Sequence, residues 1–521
     1  MINFCLTNKP NLVNSNWKSK KRLKHGIWLY YDSGVEIINS PKHWIVFCGI
    51  LWNGKVTDFI DSTKQNGIFY AIVIDKKSGE IQVINDFTDS FFLTYYAEGR
   101  HFVVTNEIKV YGPSFKINQY WVNWSKLGVD LYQAPRKPYS KLRSSSSAWY
   151  NNAAPSPSAG VQNITPLVGV NYIGAGSVLT LQGWDDFDCQ PSPIVAYSCY
   201  PWFAHKQDIA KLFSDKPKHD YKFAVDTAKR IIRENCERIK EKYGTQLVHF
   251  CSTGADSLAL KSYFDDVPMY GFYIKEFNQY GELVDLYKQL YNDHSGTLHH
   301  FDIKGLDDIF NSQRSNLQKT ISYTPLHMIF MHIRDVYHLN DRVIIQGTSG
   351  DRIFWHDRHY VTRHAVHRWG MKDAQQIWDR CIPHYGFGGL GKSTGRYSKQ
   401  SRIDEMNRYL SNPYPDFKTA MLALRYFSNH EPLTAQYMPN QLMISPYVDL
   451  RLINLLPSCD IPTQEANILD AQIQKDMISD KLLPYLNPYK AGLDWFYDYH
   501  PTDEKFRKRM IDSFLKNLQG S

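Results

Sequence analysis

Apolar and polar positions alternate through much of the N-terminal part of the chain. The alternation comes with many β-branched and aromatic residues in the segments WIVFCGILW, GIFYAIVID, EIQVI, FFLTYY and HFVVTNEI. Turn residues separate these segments, a spacing typical of strands in an antiparallel sheet. A last pair of strands is predicted in VGVNYIGAGSVLTLQG. We therefore expect a β-rich N-terminal domain over residues 1–205.

Beyond Lys206 the pattern changes to strands that alternate with helices. The predicted strands are LVHFC, PMYGFYI, LHHFDIK and RVIIQG, and the predicted helices include YKFAVDTAKRIIRENCERIKEKY, GELVDLYKQLYND and PLHMIFMHIRDVYHL. Such alternation predicts a parallel sheet flanked by helices. The remaining chain is mainly helical in pattern, so residues 206–521 are expected to form an α/β domain with a helical C-terminal part.

Residues 135–162 differ from both patterns. They read PRKPYSKLRSSSSAWYNNAAPSPSAGVQ, which is low in complexity and rich in Ser, Pro and Ala. This composition favours a loop or linker.

Length and composition narrow the class of protein. A chain of 521 residues is too long for one ordinary core. Its longest apolar stretch, residues 44–52, is too short to cross a bilayer, and the start MINFCLTNKP lacks the pattern of an export signal. The eight cysteines form no CxxC pair, which favours reduced thiols. We expect a cytoplasmic protein without membrane association.

The net charge of +8 is mild for this length. Basic residues concentrate in three segments, residues 18–24, 136–143 and 505–509. A solvated surface is the ordinary interpretation, and a nucleic acid or another anionic partner is the alternative.

A turn of small and hydroxylated residues follows the predicted strand LVHFC. This first turn consists of Ser252, Thr253, Gly254, Ala255, Asp256 and Ser257. Small residues let a ligand approach the backbone, and hydroxyls and backbone N–H groups bind phosphate. A carboxylate repels bare phosphate, but Asp256 fits if it holds a divalent cation that bridges phosphates. The alternative is an ordinary helix cap.

A second turn of the same kind follows the strand RVIIQG. It comprises residues 347–351, from Gly347 to Asp351. Ligands of parallel sheets bind at the carboxyl ends of the strands. Two strand-end turns, each with one acid, would together clamp one Mg²⁺–polyphosphate.

Two further motifs compete for chemical roles. Residues 386–393, GFGGLGKS, match the Walker pattern, but a polar, helical segment broken by Pro383 precedes them instead of a buried strand. We interpret them as a glycine-rich loop. The histidines of residues 356–367 lack a recognisable set of further metal ligands, so we interpret them as surface or substrate-facing residues.

The two turns and their flanks resemble the synthetase domain of the class B asparagine synthetase family, which includes the β-lactam synthetases and lasso-peptide cyclases. The first turn is similar to the family's SGGxDS pyrophosphate loop, and IIQGTSGDRIF to its SGEGADELF segment. ISPYVDLRLINLLPSC resembles PFLDxRLVEFALSLP, with matches at Pro446, Asp449, Arg451 and Leu452. DAQIQKDMISDKLLPYLNPYKAGL resembles the family's C-terminal region, with Lys475 at an arginine position and Lys490 at the catalytic lysine.

The N-terminal part resembles the family's amidotransferase-like domain in NGIFYAIVID, NDFTDSFFLTYYAEG, FVVTNEIK and VGVNYIGAGSVLTL. The resemblance thus covers nearly the whole chain. It implies an Ntn-hydrolase-like antiparallel sandwich of class α+β, followed by an α/β PP-loop synthetase domain.

The implied activity is an ATP-dependent, Mg²⁺-dependent ligase. A small-molecule or peptide carboxylate would attack the α-phosphate, and an amine would then displace AMP to form an amide. Asp256 and Asp351 would hold Mg²⁺, and Lys490 and Asp351 would be the catalytic residues. The resemblance assigns contacts to ATP or pyrophosphate to the first turn and to Gly271, Phe272, Gln346, Gly347 and Thr348.

Two departures from the family concern glutamine hydrolysis. Glutamine-using members begin with a nucleophilic cysteine, whereas Cys5 here follows four residues and would need their removal to free an α-amine. The family's NGE strand is aligned with Cys48-Gly49-Ile50. We therefore expect a domain without glutaminase activity and an amine supplied by the substrate itself.

Other departures lie in the two turns. Thr348 and Arg352 stand where the family has glutamates, and Thr253 stands where it has glycine. Another base, Tyr360 or a histidine of residues 356–367, would have to replace the acid at Thr348. The alternatives are a pseudoenzyme that binds a nucleotide or partner, and an enzyme that adenylates a nucleotide or nucleic-acid base.

Overall fold

The structure is a computed structural model. It describes residues 2–13, 17, 19–61, 65–86, 90–91, 93–98, 101–112, 115–119, 167–173, 178–181, 218–274, 281–301, 308–309, 325–347, 350–354 and 441–487. The predicted linker at 135–162, the glycine-rich loop at 386–393, the histidines of 356–367 and the predicted domain boundary at 205 lie outside these ranges.

The N-terminal part forms two antiparallel sheets. Their strands are β1 (Phe4–Thr7), β2 (Ser19–Arg22), β3 (Trp28–Tyr31), β4 (Glu36–Asn39), β5 (His43–Leu51), β6 (Gly67–Asp75), β7 (Ile81–Asn85), β8 (Thr94–Glu98), β9 (His101–Thr105), β10 (Val170–Tyr172) and β11 (Val178–Leu181). The first sheet has the order β10-β8-β9-β1-β3-β2, and the second has the order β11-β7-β6-β5-β4.

The two antiparallel sheets pack face to face. Phe4 of β1 and Tyr70 of β6 meet with ring centroids 4.6 Å apart. Strand β6 is buried on both of its faces, which explains why GIFYAIVID is almost continuously apolar instead of alternating. Inward-facing aliphatic and aromatic side chains of both sheets therefore form one core.

The C-terminal part is built on a parallel sheet. Its strands are β12 (Leu247–Phe250), β13 (Met269–Ile274), β14 (Thr297–Phe301), β15 (Val343–Gln346) and β16 (Met443–Ile444), in the order β14-β13-β12-β15-β16. The described helices are α1 (Tyr221–Tyr243), α2 (Ala255–Lys261), α3 (Gly281–Asp293), α4 (Pro325–Val336), α5 (Gly350–Ile353), α6 (Leu450–Ile453), α7 (Ile461–Asp470) and α8 (Gln472–Asp476). Among the described residues, no helix combines the length and apolar character needed to span a bilayer.

These two sheet types confirm the coarse prediction of an antiparallel N-terminal part followed by a parallel, helix-flanked sheet. The bounds of α1 and α3 coincide with the helices predicted from periodicity. Asp220 caps α1 by accepting a hydrogen bond from the backbone N–H of Phe223 at 2.9 Å. Gly244 ends the helix with a positive φ of 47°.

A buried carboxylate joins the two parts. Asp449 is fully buried and accepts hydrogen bonds from Asn235 Nδ2 at 3.0 Å and Arg451 Nη2 at 2.8 Å. Asn66, from the N-terminal sheets, donates its Nδ2–H to Asp449 Oδ1 at 2.9 Å. Trp52 adds a second connection by donating its indole N–H to the carbonyl of Val448. The interface between the two parts is therefore polar and hydrogen-bonded at this point.

We expect Arg451→Met to lower the free energy of unfolding by about 3 kcal/mol, because it leaves the buried Asp449 carboxylate without its cation. Urea titration measures this change. Arg230→Met is the matched control, since Arg230 pairs with the same neighbouring acid, Glu234, but is 60% exposed. Its cost should stay below about 0.5 kcal/mol. Equal costs for the two variants would contradict the assigned role of Arg451.

Candidate active site

The two turns predicted from sequence lie side by side in the fold. Strand β12 is the central strand, and Phe250 at its end pairs with Gln346 at the end of β15. The chain runs from β12 toward β14 on one side and reaches β15 and β16 on the other. This change of direction creates the crevice in which open α/β sheets bind their ligands. The first turn and the second turn flank it.

The first turn is held by its own hydroxyls. Ser252 Oγ donates to Ser257 Oγ at 3.0 Å and accepts from the backbone N–H of Gly254 at 3.3 Å. Gly254 precedes α2 as its N-cap residue, without a side-chain cap. The hydroxyls therefore stabilise the turn and lie among the backbone N–H groups that the sequence predicts to contact phosphate.

Thr253, which stands in place of a family glycine, is buried within the first turn. Burial raises the pKa of the nearby Tyr287 hydroxyl, and hydrogen bonds with Thr253 and Ser252 oppose that rise. The β-branched side chain is thus accommodated by a tyrosine from α3. Sequence reasoning did not identify Tyr287.

Gly271 lies on β13 at the same edge of the sheet. A Cβ atom at this position would lie 2.1 Å from the hydroxyl of Tyr291, which donates to the carbonyl of Cys251 at 2.7 Å. The glycine therefore makes room for a tyrosine that supports the base of the first turn. Phe272, the next residue, packs edge-to-face on Phe301 at 6.0 Å. Their predicted contacts with ATP stay predictions.

The second turn is in close contact with the first turn at two glycines, Gly347 and Gly350. A Cβ atom at Gly347 would lie 3.0 Å from the backbone nitrogen of Ser257. A Cβ atom at Gly350 would lie 2.5 Å from Asp256 Oδ1, so the Asp256 carboxylate occupies the space beside Gly350. The backbone of Asp351 follows directly in α5. Its side chain, and Thr348, lie outside the described part of the structure.

The last described residue, Asn487, is anchored on the first turn. The backbone N–H of Asn487 donates to the carbonyl of Thr253 at 2.9 Å. Tyr485, two residues earlier, donates its hydroxyl to Asp293 at the end of α3 at 2.6 Å. Lys490 itself lies outside the described residues, three positions beyond Asn487.

Tyr447 is a site residue that the sequence did not reveal. Its hydroxyl donates to the backbone carbonyl of Asp256 at 2.7 Å. Its ring lies against Gly350 and packs edge-to-face on Phe354 with centroids 5.8 Å apart. Burial raises the pKa of Tyr447 well above its ordinary range, so the hydroxyl keeps its proton and remains a donor. The only signal was its place between two residues that match the family, Pro446 and Asp449.

The side-chain oxygen atoms of this site are the kind of ligand that a hard cation binds. Asp256 supplies a carboxylate, and Ser252 and Ser257 supply hydroxyl oxygens, the ligand type that Mg²⁺ prefers. Within the part of the chain that is described, no three histidine, cysteine or acidic side chains cluster as a metal site. The predicted second ligand, Asp351, is not among the described side chains. Gly347 and Gly350 let the second turn approach Asp256 closely, so a cation held by Asp256 would lie between the two turns.

Cys5 lies inside the first antiparallel sheet. It pairs with Tyr30 of β3 and Thr105 of β9, and burial raises the pKa of its thiol well above the ordinary value. The residues before it are part of the fold, since the carbonyl of Ile2 accepts a hydrogen bond from the Tyr70 hydroxyl at 2.9 Å. A nucleophilic role for Cys5 would require both a lower pKa and the loss of these contacts.

The segment aligned with the family's NGE strand is also enclosed. Gly49, in the middle of β5, has φ +118°, and a Cβ atom there would lie 2.0 Å from the carbonyl of Ile68. Its own carbonyl accepts from Tyr243 and Lys242 of α1, both at 2.8 Å. This stretch therefore contributes to the interface with the C-terminal part.

His249 of β12 lies beneath the first turn. It is fully buried, and neither ring nitrogen has a hydrogen-bond partner among the described residues. Burial, together with the charge of Lys261, lowers the pKa of His249 from 6.5 to about 3. The imidazole is therefore neutral in the folded protein.

We expect His249 to make the protein less stable in acid. Its folded pKa lies below its unfolded pKa, so the unfolded state binds more protons, and stability falls as the pH drops from about 6.5 toward about 3. The loss reaches about 2 kcal/mol near pH 5, at about 1.4 kcal/mol per pH unit. His249→Leu should remove that loss in urea titrations at about pH 5 and pH 7.5.

The control for this measurement is His300→Gln, at an exposed histidine of β14. It should leave the acid-induced loss of stability unchanged. A wild-type pH dependence retained in His249→Leu would show that other groups cause it.

We expect Gly350→Ala to weaken Mg²⁺-dependent binding of ATP by about tenfold, because the new methyl group must displace the Asp256 carboxylate. Isothermal titration calorimetry with Mg-ATP measures this. Gly244→Ala is the control, because nothing lies within 4 Å of the added methyl group and only its positive φ is strained. Unchanged ATP affinity in Gly350→Ala would contradict the site.

No protein-family model matches this chain, and no curated protein matches it. The resemblance to the asparagine synthetase family therefore depends on the sequence motifs alone.

Proposed function

We propose that the protein is an ATP-dependent ligase that adenylates a carboxylate and joins it to an amine. The main observation behind this proposal is that two glycine-containing turns lie side by side at the switch point of the parallel sheet, with the Asp256 carboxylate against Gly350. The hydrogen bond from the backbone N–H of Asn487 to the carbonyl of Thr253 supports this proposal, because the chain reaches the first turn three positions before Lys490.

Each turn has a distinct task in this reaction. Backbone N–H groups and hydroxyls of residues 252–257 would bind the pyrophosphate portion of ATP. Gly347 and Gly350 let the second turn lie directly against the first, and Asp256 and Asp351 would hold Mg²⁺. When bound there, Mg²⁺ would neutralise charge on the phosphates and so improve the leaving group.

The chemistry requires two displacements. A carboxylate oxygen of the substrate attacks the α-phosphorus, and the bond to the bridging oxygen of pyrophosphate breaks. The amine nitrogen then attacks the acyl carbon, AMP leaves, and a base accepts the amine proton. Lys490 would stabilise the negative charge that develops in both steps. Because Thr348 replaces the family's acid, the base would come from residues 356–367.

The amine is proposed to come from the substrate and not from glutamine. Cys5 is buried within a strand, and the segment from Cys48 to Ile50 lies against α1. Both features favour an N-terminal part that supports the fold instead of generating ammonia.

The proposal predicts ATP–pyrophosphate exchange that depends on a carboxylate substrate. A panel of amino acids, peptides and other small carboxylic acids should contain at least one that supports exchange. Asp256→Asn and Lys490→Met should each lower the exchange rate by about 10²-fold, the usual scale for losing one charge-stabilising group. Asp266→Asn is the control, since Asp266 is 70% exposed and pairs with Lys240 at the surface.

Three outcomes would decide against the ligase. ATP binding without exchange for any carboxylate would indicate a pseudoenzyme. Exchange that requires an oligonucleotide, with salt-sensitive binding, would indicate modification of a nucleic acid. Absence of ATP binding would exclude both the ligase and the nucleotide-binding pseudoenzyme.

A further inference from the structure

Three consecutive residues connect the candidate site to the N-terminal sheets. Residues 447–449, here called the linking segment, follow the edge strand β16 and precede α6. All three are buried. Tyr447 makes a hydrogen bond to the candidate site, and Val448 and Asp449 each make one to the N-terminal part.

The first residue of the linking segment faces the site. Tyr447 donates to the carbonyl of Asp256, and its ring contacts Gly350 of α5 and Phe354, the residue after α5. One side chain therefore touches both turns. Its hydroxyl fixes the peptide that joins Asp256 to Ser257, and its ring fixes the distance from that peptide to the second turn.

The other two residues face the N-terminal sheets. The carbonyl of Val448 accepts the indole N–H of Trp52, and the carboxylate of Asp449 accepts the amide of Asn66. Asn66 Oδ1 also accepts a hydrogen bond from the backbone N–H of Leu450 at 3.1 Å, so the side-chain amide both donates and accepts here. Trp52 and Asn66 lie at adjacent ends of β5 and β6, where the backbone N–H of Trp52 donates to the carbonyl of Asn66 at 2.8 Å.

The residue that faces the site, Tyr447, is directly followed by the first residue that faces the sheets, Val448. The segment is held in a tight turn, in which the backbone N–H of Val448 donates to the carbonyl of Ser445 at 3.0 Å and that of Asp449 to the carbonyl of Tyr447 at 2.8 Å, so a shift of Val448 or Asp449 moves Tyr447 as well. The bond from Arg451 Nη2 to Asp449, at 2.8 Å, adds a fixed point on the C-terminal side. The linking segment is therefore held at both ends and has little freedom to relax.

We propose that Tyr447 is a positioning residue for the first turn, and that the N-terminal sheets control this placement through Trp52 and Asn66. The N-terminal part thereby acts on the candidate site without contributing a reacting group. The predicted effect on ATP binding rests on the proposed function. The predicted ordering of the first turn does not depend on that function.

Hydrogen–deuterium exchange measures the ordering directly in the full-length chain without ligand. We expect Asn66→Ala, Trp52→Phe and Tyr447→Phe each to speed amide exchange in peptides covering residues 252–258 by about fivefold, the factor for a lost hydrogen bond of about 1 kcal/mol. Tyr447→Phe keeps the ring and removes only the hydroxyl, and Trp52→Phe keeps a smaller aromatic ring without the indole N–H, so Tyr447→Phe reports on the hydrogen bond even if Asn66→Ala fails to fold.

Matched controls remove similar groups elsewhere. Asn85→Ala removes a buried amide that bonds to the carbonyl of Ile173 at 2.8 Å, within the N-terminal sheets. Tyr111→Phe removes a buried hydroxyl that bonds to Thr94 at 3.1 Å. Both should lower global stability while exchange in residues 252–258 stays at the wild-type rate. Faster exchange in the controls as well, or unchanged exchange in Trp52→Phe and Tyr447→Phe, would overturn the inference.

A second measurement separates this inference from the proposed function. In the wild type, Mg-ATP binding tests the function. In Trp52→Phe and Tyr447→Phe, we expect the Mg²⁺ concentration for half-maximal ATP binding to rise about fivefold, with the controls unchanged. If the wild type binds no ATP, the proposed function fails and the exchange experiment alone decides the inference. If the wild type binds ATP and the Mg²⁺ requirement does not move, the inference fails while the function stands.

Discussion

The two parts of this structure depend on the hydrogen bonds and the ion pair of one buried carboxylate, that of Asp449. An unpaired charge in a protein interior is costly, so Asp449 is acceptable only when its cation and amide partners are all in place. One partner, Asn66, belongs to the N-terminal sheets, and two, Asn235 and Arg451, belong to the C-terminal part. The energetic penalty of losing any of them ties the two parts into one arrangement.

The order of the parallel sheet then determines where chemistry can occur. Because β12 lies between β13 and β15, the turns that follow β12 and β15 meet at one edge. Tyrosines fill the space around them, with Tyr291 below the first turn and Tyr447 between the two turns. The small residues of the turns are thus surrounded by large, buried rings whose hydroxyls bond to backbone carbonyls, which leaves the turns little conformational freedom.

Local patterns in the sequence predicted the longer strands and helices and the nearness of the two turns, but not the short strands β1 to β4 and β16. Helix α1 and the turn after β12 follow from periodicity and residue type, which act over a few positions. The role of Gly271 could not be predicted this way, because it depends on Tyr291, which lies on a different element. The role of Tyr447 could not be predicted for the same reason. Its partner Asp256 lies 191 positions earlier, and periodicity carries no information about such pairs.

The separation of Asn66 and Asp449 by 383 positions has a consequence for synthesis in the cell. Ribosomes add about 5–20 residues per second, so roughly 20–80 s pass between the appearance of the two partners. During that interval the ends of β5 and β6 are complete but lack their hydrogen-bonding surface. Until Val448 and Asp449 are made, water must therefore take the place of these partners at Trp52 and Asn66.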